Sequence, residues 1–265
     1  MKRRLAELTG GEARDVLARR PVILLPLGSH EEQGPHAPMG DYLSADRMAE
    51  RIAARATEAG TETLVAPVLP FGGAEYFGSV PGGIALSQAT LRAVLTDVFA
   101  CLLRHGLSRL VVINGHGGNV GAIHETTLAI RRAQDVVIPS FYLWKIGKQL
   151  LPAIVGAERA RASTGHGADP LSSVAMHLLP ELVRPDLAPA PIAVPQTEGL
   201  PASGFGSLRF EGVDVEMPLE LDAIAPDGVF GADARIPSAE TGAALVERLT
   251  EIGARFVAHH AKHAP

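Results

Sequence analysis

The sequence predicts an α/β fold with a mainly parallel central sheet and helices on both of its faces. Three observations lead there. Short apolar runs such as Val22 to Leu27, which read as buried strands, alternate with longer segments whose apolar residues recur at helical spacing. That alternation is the pattern of a parallel sheet covered by helices. The chemistry-bearing polar clusters, Ser29 to Asp41, Phe71 to Gly83 and Asn114 to Asn119, all fall where a strand hands over to the next helix. In open α/β folds, sites form at such junctions.

The elements follow in order. Thr9-Gly-Gly-Glu12 resembles a capping box and opens a helix to about Arg19, stopped by Pro21. Val22 to Leu27 is the first strand and ends at Gly28. A helical pattern runs from about Ser44 to Ala59 and closes at Gly60, and Thr63 to Leu69 is the second strand. Ser87 caps a helix to His105, with Gly106 as its stop. Leu110 to Ile113 is the third strand. Asn119 caps a helix to about Gln134, and Val136 to Leu143 is the fourth strand. From Pro185 to Pro237 the chain turns rich in proline and glycine and reads as loops and short strands laid on the main domain. A last helix spans Ser238 to His260. No repeat, P-loop or dinucleotide-binding glycine fingerprint is present.

Composition excludes several classes of function. The 265 residues carry a net charge of −5, and the only basic block is Lys2 to Arg4, read as a solvated N-terminus, so a nucleic-acid partner is not expected. No apolar run reaches the roughly 18 residues of a membrane span. No secretory signal pattern opens the chain. The single cysteine, Cys101, shares a helical face with Val94, Val98 and Leu102 and is read as a buried small hydrophobe. The compartment implied is the cytoplasm.

Divalent ions take carboxylate and imidazole ligands brought together from several segments. Glu31 and Asp41 come from the first junction, and His116, in "INGHGGN", from the end of the third strand. The glycines beside His116 let backbone approach a ligand closely. In "STGHGADPLSS", His166 sits in a glycine-rich turn with Asp169 nearby. Two readings stand side by side there: a general acid–base or ligand, or a helix start that Asp169 caps. His124, His177, His259, His260 and His263 are read as helix-surface or solvated chain-end residues.

Several of these motifs, in order, resemble the creatininase family. "PLGSHEEQGPH" is similar to that family's Gly-Ser-x-Glu-Gln-His-Gly-Pro-His signature, and "NGHGGN" matches its second motif. "FGGAEYFGSVPGGIAL" resembles its Tyr-Gly-x-Ser-x-Glu-His loop. "GHGADPLSS" resembles its His-Ala-Gly-x-x-Glu-Thr-Ser element, and "GVFGADARIPSAETG" the stretch before its last helix. The resemblance implies one three-layer α/β/α sandwich over residues 1–265, with 185–237 packed on it, commonly assembled as a homohexamer. It further implies a divalent metal centre, zinc or manganese with iron as a further candidate, that hydrolyses a non-peptide C–N bond in a small or cyclic amide. By that resemblance Glu31 and His116 bind one ion and Asp41 bridges toward a second. His166 handles protons, with Glu31 beside it in the catalytic set, and Tyr76, Gly117, Gly118 and Asp169 line the substrate pocket.

The chain also departs from the family pattern. Gln33 stands at a ligand histidine and Leu171 at a ligand glutamate, both serving the second ion. Glu32, His36 and Asp169 are candidates to substitute, with His36 counted beside Glu31, Asp41 and His116 as a metal ligand; one ion is expected and the second is left open. Glu31 and Asp41 are one residue closer than in the family. Ala74, Tyr76 and Phe77 replace Ser, Glu and His in the substrate loop, and Ala162 replaces a tryptophan; Trp144 is read as a packing or pocket residue. Losing groups that hydrogen-bond a substrate changes specificity sharply, which argues against creatinine itself. Two further readings are carried alongside: a metal-dependent enzyme acting on a keto-sugar or cyclic ketone, and a non-catalytic ligand-binding relative.

Overall fold

The structure, a computed structural model, describes residues 2–73, 76–219 and 221–264. Helix α1 (Gly10–Leu17) opens with the expected capping box: the Thr9 side chain accepts from the Glu12 N–H while the Glu12 carboxylate accepts from the Thr9 N–H. Strand β1 (Val22–Leu27) follows, then α2 (Asp41–Glu58), β2 (Thr63–Val65), α3 (Gln88–Arg104, capped by Ser87), β3 (Leu110–Asn114), α4 (Val120–Gln134) and β4 (Ser140–Tyr142). Helices α5 (Leu143–Val155), α6 (Ala157–Ser163) and α7 (Leu171–Leu178) come next. Strands β5 (Gln196–Thr197), β6 (Leu200–Gly204), β7 (Ser207–Phe210) and β8 (Val213–Glu216) lead through the short α8 (Leu221–Ile224) to α9 (Ala239–His263).

Strands β1 to β4 form one parallel sheet in the order β2-β1-β3-β4. Side chains alternate across each strand, so the apolar runs supply two cores at once. Val22, Leu24, Val111 and Ile113 pack against Met48 and Ile52 of α2 and Leu245 and Leu249 of α9. Ile23, Leu25, Leu27 and Val112 pack the other way, against Leu91, Leu95 and Phe99 of α3 and Ile123 of α4. This is the expected α/β/α sandwich. The chain leaves β1 toward one face through α2 and leaves β3 toward the other through α4. A crevice therefore opens between the C-terminal ends of these two neighbouring strands, where ligands bind in such sheets.

The segment at 185–237 does form short strands. They make a second, antiparallel sheet, β5-β6-β7-β8, which packs through Ala202 and Leu208 against Phe77, Leu221 and Ile224. Among the described residues, no helix is long and apolar enough to cross a membrane.

Several expectations are corrected. Helix α2 begins at Asp41 rather than Ser44, which puts Asp41 in its first turn. Strand β2 stops at Val65 because Pro67 interrupts it, and Leu69 returns as a single bridge to Leu27. Strand β4 is confined to Ser140–Tyr142, since Leu143 already starts α5. Cys101 is exposed. The buried stripe of α3 is Leu91, Leu95 and Phe99, and a residue two positions past Phe99 lies roughly 200° around the helix. The basic N-terminus is tied down: Arg4 pairs with Asp46 at 2.8 Å and Glu50 at 3.0 Å, and the Val65 N–H donates to the Arg3 carbonyl. His260 is buried within α9 and stacks on Phe256 rather than lying solvated.

Candidate metal centre and active site

The site assembles from the ends of β1 and β3 and the start of α2. Gly28 and Ser29 leave β1, and the turn that follows carries Glu31 and Gln33 before the chain enters α2 at Asp41. The Ser29 N–H donates to Asp41 Oδ1 at 2.5 Å and the Ser29 hydroxyl donates to Oδ2 at 2.9 Å, so one carboxylate is oriented from both oxygens. After β3, Asn114 accepts from the His116 N–H at 3.0 Å and donates to the His116 carbonyl at 2.8 Å, which fixes the turn presenting the imidazole. Asn119 does not cap α4 with its side chain. Its amide instead donates to the Gly28 carbonyl at 3.0 Å and accepts from the Gly73 N–H at 3.0 Å, tying the three junctions together.

These constraints place His116 Nδ1 3.2 Å from Glu31 Oε1 and 3.2 Å from Asp41 Oδ2. All three residues are buried, and their ligand atoms lie within 4.8 Å of one another. Burial raises the Glu31 carboxyl, but the hydrogen bonds and charges of His116 and His166 outweigh it and hold it at about 2. Asp41, fully enclosed, is pushed up by burial despite His116. Burial lowers His116, and the two carboxylates more than reverse that, lifting it to about 10. Two carboxylates and an imidazole converging from three segments, with Glu31 Oε2 and His116 Nε2 lacking hydrogen-bond partners among the described residues, are a donor set suited to zinc or manganese. The serine behind Asp41 is the kind of outer support that orients a ligand.

His166 completes the cluster, with Nε2 3.5 Å from Glu31 Oε1. Its Nδ1 lies 2.7 Å from the Gly228 carbonyl. A carbonyl only accepts, so Nδ1 is the donor to Gly228, and Nε2 is the nitrogen turned toward Glu31. Phe77 and Phe205 lie 4.8 Å and 5.2 Å from this imidazole, centroid to centroid, and close one side of it.

A cavity of about 170 Å³ opens over the cluster, lined by Tyr76 and Gly117 from the expected set and by Tyr142, Trp144, Lys148, Leu171 and Phe205. Burial and the Glu31 charge raise the Tyr76 phenol, and burial above all raises that of Tyr142. Gly118, His36 and Asp169 are not among its walls. Gly118 is buried, with its carbonyl taken by the Gln88 amide. His36 is 1 % exposed, is pushed down by burial, and is not one of the three converging ligands. Asp169 lies buried behind the His166 turn, its carboxyl pushed up by burial. Pro170 holds the N-cap position of α7, and the Asp169 carboxyl one residue earlier accepts from the backbone N–H and hydroxyl of Ser173 in the first turn of that helix. Gln33 lines the cavity, its amide donating to Glu31 Oε1 at 3.3 Å, and among the described residues its buried side-chain oxygen has no hydrogen-bond partner. Leu171 packs into the core beside Val174. Ala74 lies outside the described residues. A larger cavity of about 400 Å³, with Ala162 in its wall, contains none of the cluster.

Sequence reasoning did not single out Ser29, Tyr142, Lys148 or Phe205. Only Lys148 left a local signal, standing four residues after Trp144 and so on the same helical face.

The comparisons with known proteins agree with this geometry. A family model described as "Creatininase: Creatinine amidohydrolase" matches residues 6–257. A mycofactocin precursor peptide peptidase from Mycobacterium ulcerans is 31% identical over 235 residues, covering 86% of this chain and 81% of the relative. A creatinine amidohydrolase from Pseudomonas putida is 32% identical over 191 residues, covering 65% and 69%. The solved structure of a manganese creatininase superposes with a TM-score of 0.76 at 25% identity, over 97% of this chain and 98% of that one. Sequence match and shared fold both run through nearly the whole chain, and on that ground it belongs to the creatininase family of hydrolases.

Proposed function

We propose that the protein hydrolyses an amide C–N bond in a small substrate other than creatinine, at one divalent ion held by Glu31, Asp41 and His116. The observation that carries this reading is the convergence of those three buried residues beside Nε2 of His166. A zinc or manganese ion bound there supplies an acidified water and polarises the scissile carbonyl. The chain's own residues do the rest. Ser29 holds the Asp41 carboxylate still, and Gln33 steadies Glu31. His166 takes a proton at Nε2 from the attacking water and returns it to the leaving nitrogen, while the Gly228 carbonyl keeps its tautomer. Water adds its oxygen to the carbonyl carbon as the C–N bond breaks, leaving a carboxylic acid and an amine.

Gln33 and Leu171 support one ion rather than two, since Gln33 offers only a neutral amide oxygen, a poor donor for zinc, and Leu171 offers no ligand atom. The apolar side chains of Phe205 and Leu171 in the cavity wall speak against creatinine, a compact polar ring. The relative named a peptide peptidase widens the expected substrates from non-peptide amides to peptide ones.

The test is metal analysis together with turnover. Purified protein is expected to hold about one zinc or manganese per chain and Glu31→Gln none. His166→Ala should keep the metal yet lose roughly 10²- to 10⁴-fold in turnover on a panel of acyl amino acids, peptides and lactams. A chain without affinity for either metal, or a fully active His166→Ala, overturns the proposal.

A further inference from the structure

We propose that Lys148 forms an anion subsite at the rim of the cavity, so that the substrate carries a carboxylate in addition to the bond that is cut. Among the described residues, and apart from the histidines, Lys148 is the only basic side chain in the cavity wall. Among the described residues it has no hydrogen-bond or ion-pair partner, whereas Glu31 and Asp41 are already engaged by His116, His166 and Ser29. More than a third of the residue is open to solvent, yet the surrounding atoms crowd its ammonium enough to lower its pKa, and among the described residues no carboxylate offsets that. A cation partly stripped of water without a partner is held ready for one.

Its placement is firm. One turn before it on α5, the buried Trp144 donates its indole N–H to the Gly115 carbonyl, next to His116. One residue before it, Gly147 sits against the Pro170 ring, where a Cβ would come within 2.9 Å of Cγ. The helix is thus pinned to the His116 loop and to the His166 turn, and Lys148 stands between those anchors and the solvent. A substrate with its amide over the ligand cluster can direct a charged end outward past Leu171 to this ammonium. Acyl amino acids and the C-terminal residues of peptides have that form. Lys148 is then a positioning residue that selects acids over their neutral analogues.

The inference rests on the amide-hydrolase reading for the reaction, but its test does not. Trp144 is the single tryptophan of the chain and lines the same cavity, so its fluorescence reports binding there. The probes are N-acetyl-leucine and N-acetyl-leucinamide, titrated into the protein as purified and after chelation. The acid should bind at least roughly tenfold more tightly than the amide, as expected for one charge-assisted contact. Lys148→Ala should bring the two affinities together, and Lys148→Arg should keep the preference. A carboxylate bound on the metal instead would lose its preference on chelation and keep it in Lys148→Ala, which overturns the proposal. Equal binding of acid and amide by the unaltered protein, or no binding of either, also overturns it. A Lys148-dependent preference in a protein without metal affinity would sustain the subsite while removing the hydrolase reading.

Discussion

Replacing Gly28 by alanine should damage both the fold and the metal centre, and the damage can be sized from the structure. A Cβ on residue 28 would lie 2.4 Å from Asp41 Oδ1 and 2.5 Å from the Tyr42 backbone N and Cα. These contacts are roughly 1 Å inside van der Waals separation. Two of the three obstructing atoms are backbone at the start of α2, so no side-chain rotation clears them. The helix start must move, which costs about 1–3 kcal/mol as overpacking. The same movement lengthens the two hydrogen bonds from Ser29 to Asp41. Weakening a hydrogen bond to a buried charge adds on the order of 1.5 kcal/mol. A total of about 3 kcal/mol lowers Tm by roughly 6–12 °C in a chain of this size. Because Asp41 moves with the helix, affinity for zinc or manganese should fall about 10- to 100-fold. Thermal unfolding and a metal titration of Gly28→Ala measure the two effects. A Tm within about 1 °C of the original, with unchanged metal affinity, refutes the claim that β1 and α2 are locked through this contact.

Gly121 provides the opposite case. It lies in the first turn of α4, and an added Cβ there meets nothing within 4 Å. Gly121→Ala should therefore stabilise the protein by about 0.5–1 kcal/mol in a denaturant titration, and a loss of stability would contradict the open helical position. For pH, His260 is the informative group outside the site. Burial lowers its pKa below 6.5; a hydrogen bond with the Leu110 backbone opposes this in part, and the charges of His259 and Arg109 add to it. The unfolded chain binds this proton near pH 6.5 and the folded protein only at lower pH, so stability is lost as pH falls through that window. The drop in unfolding free energy between pH 7.5 and 5.5 should be smaller in His260→Gln, and equal drops would refute this assignment.

The residues that could be read from sequence share a physical property: their roles follow from local pattern. An apolar run flanked by glycine or proline is a buried strand in almost any context, which is why Val22–Leu27 and the β3 run could be placed to within a residue. Caps act over three or four residues, so Thr9 with Glu12 and Ser87 were legible as well. The converging ligands were legible because strand ends in a parallel sheet gather at one edge, and Glu31, Asp41 and His116 each follow such an end. Faces and partners were harder. Cys101 and His260 were misplaced because neighbouring helical positions differ by about 100°, and only packing decides which of them faces in.

The sequence by itself determined the sandwich, the order of its elements and the three residues that converge, since all of these depend on periodicity and on the fixed geometry of strand ends. Tertiary structure alone decided what surrounds them. It turned Gln33 into a support for Glu31, set the Gly228 carbonyl against His166 from 62 residues away, and brought Phe205 from the antiparallel sheet over the cavity. It also placed Lys148, from the helix after β4, in the wall of the same cavity. Such contacts join segments with no fixed spacing in the chain, and what brings them together is the packing of one layer on another.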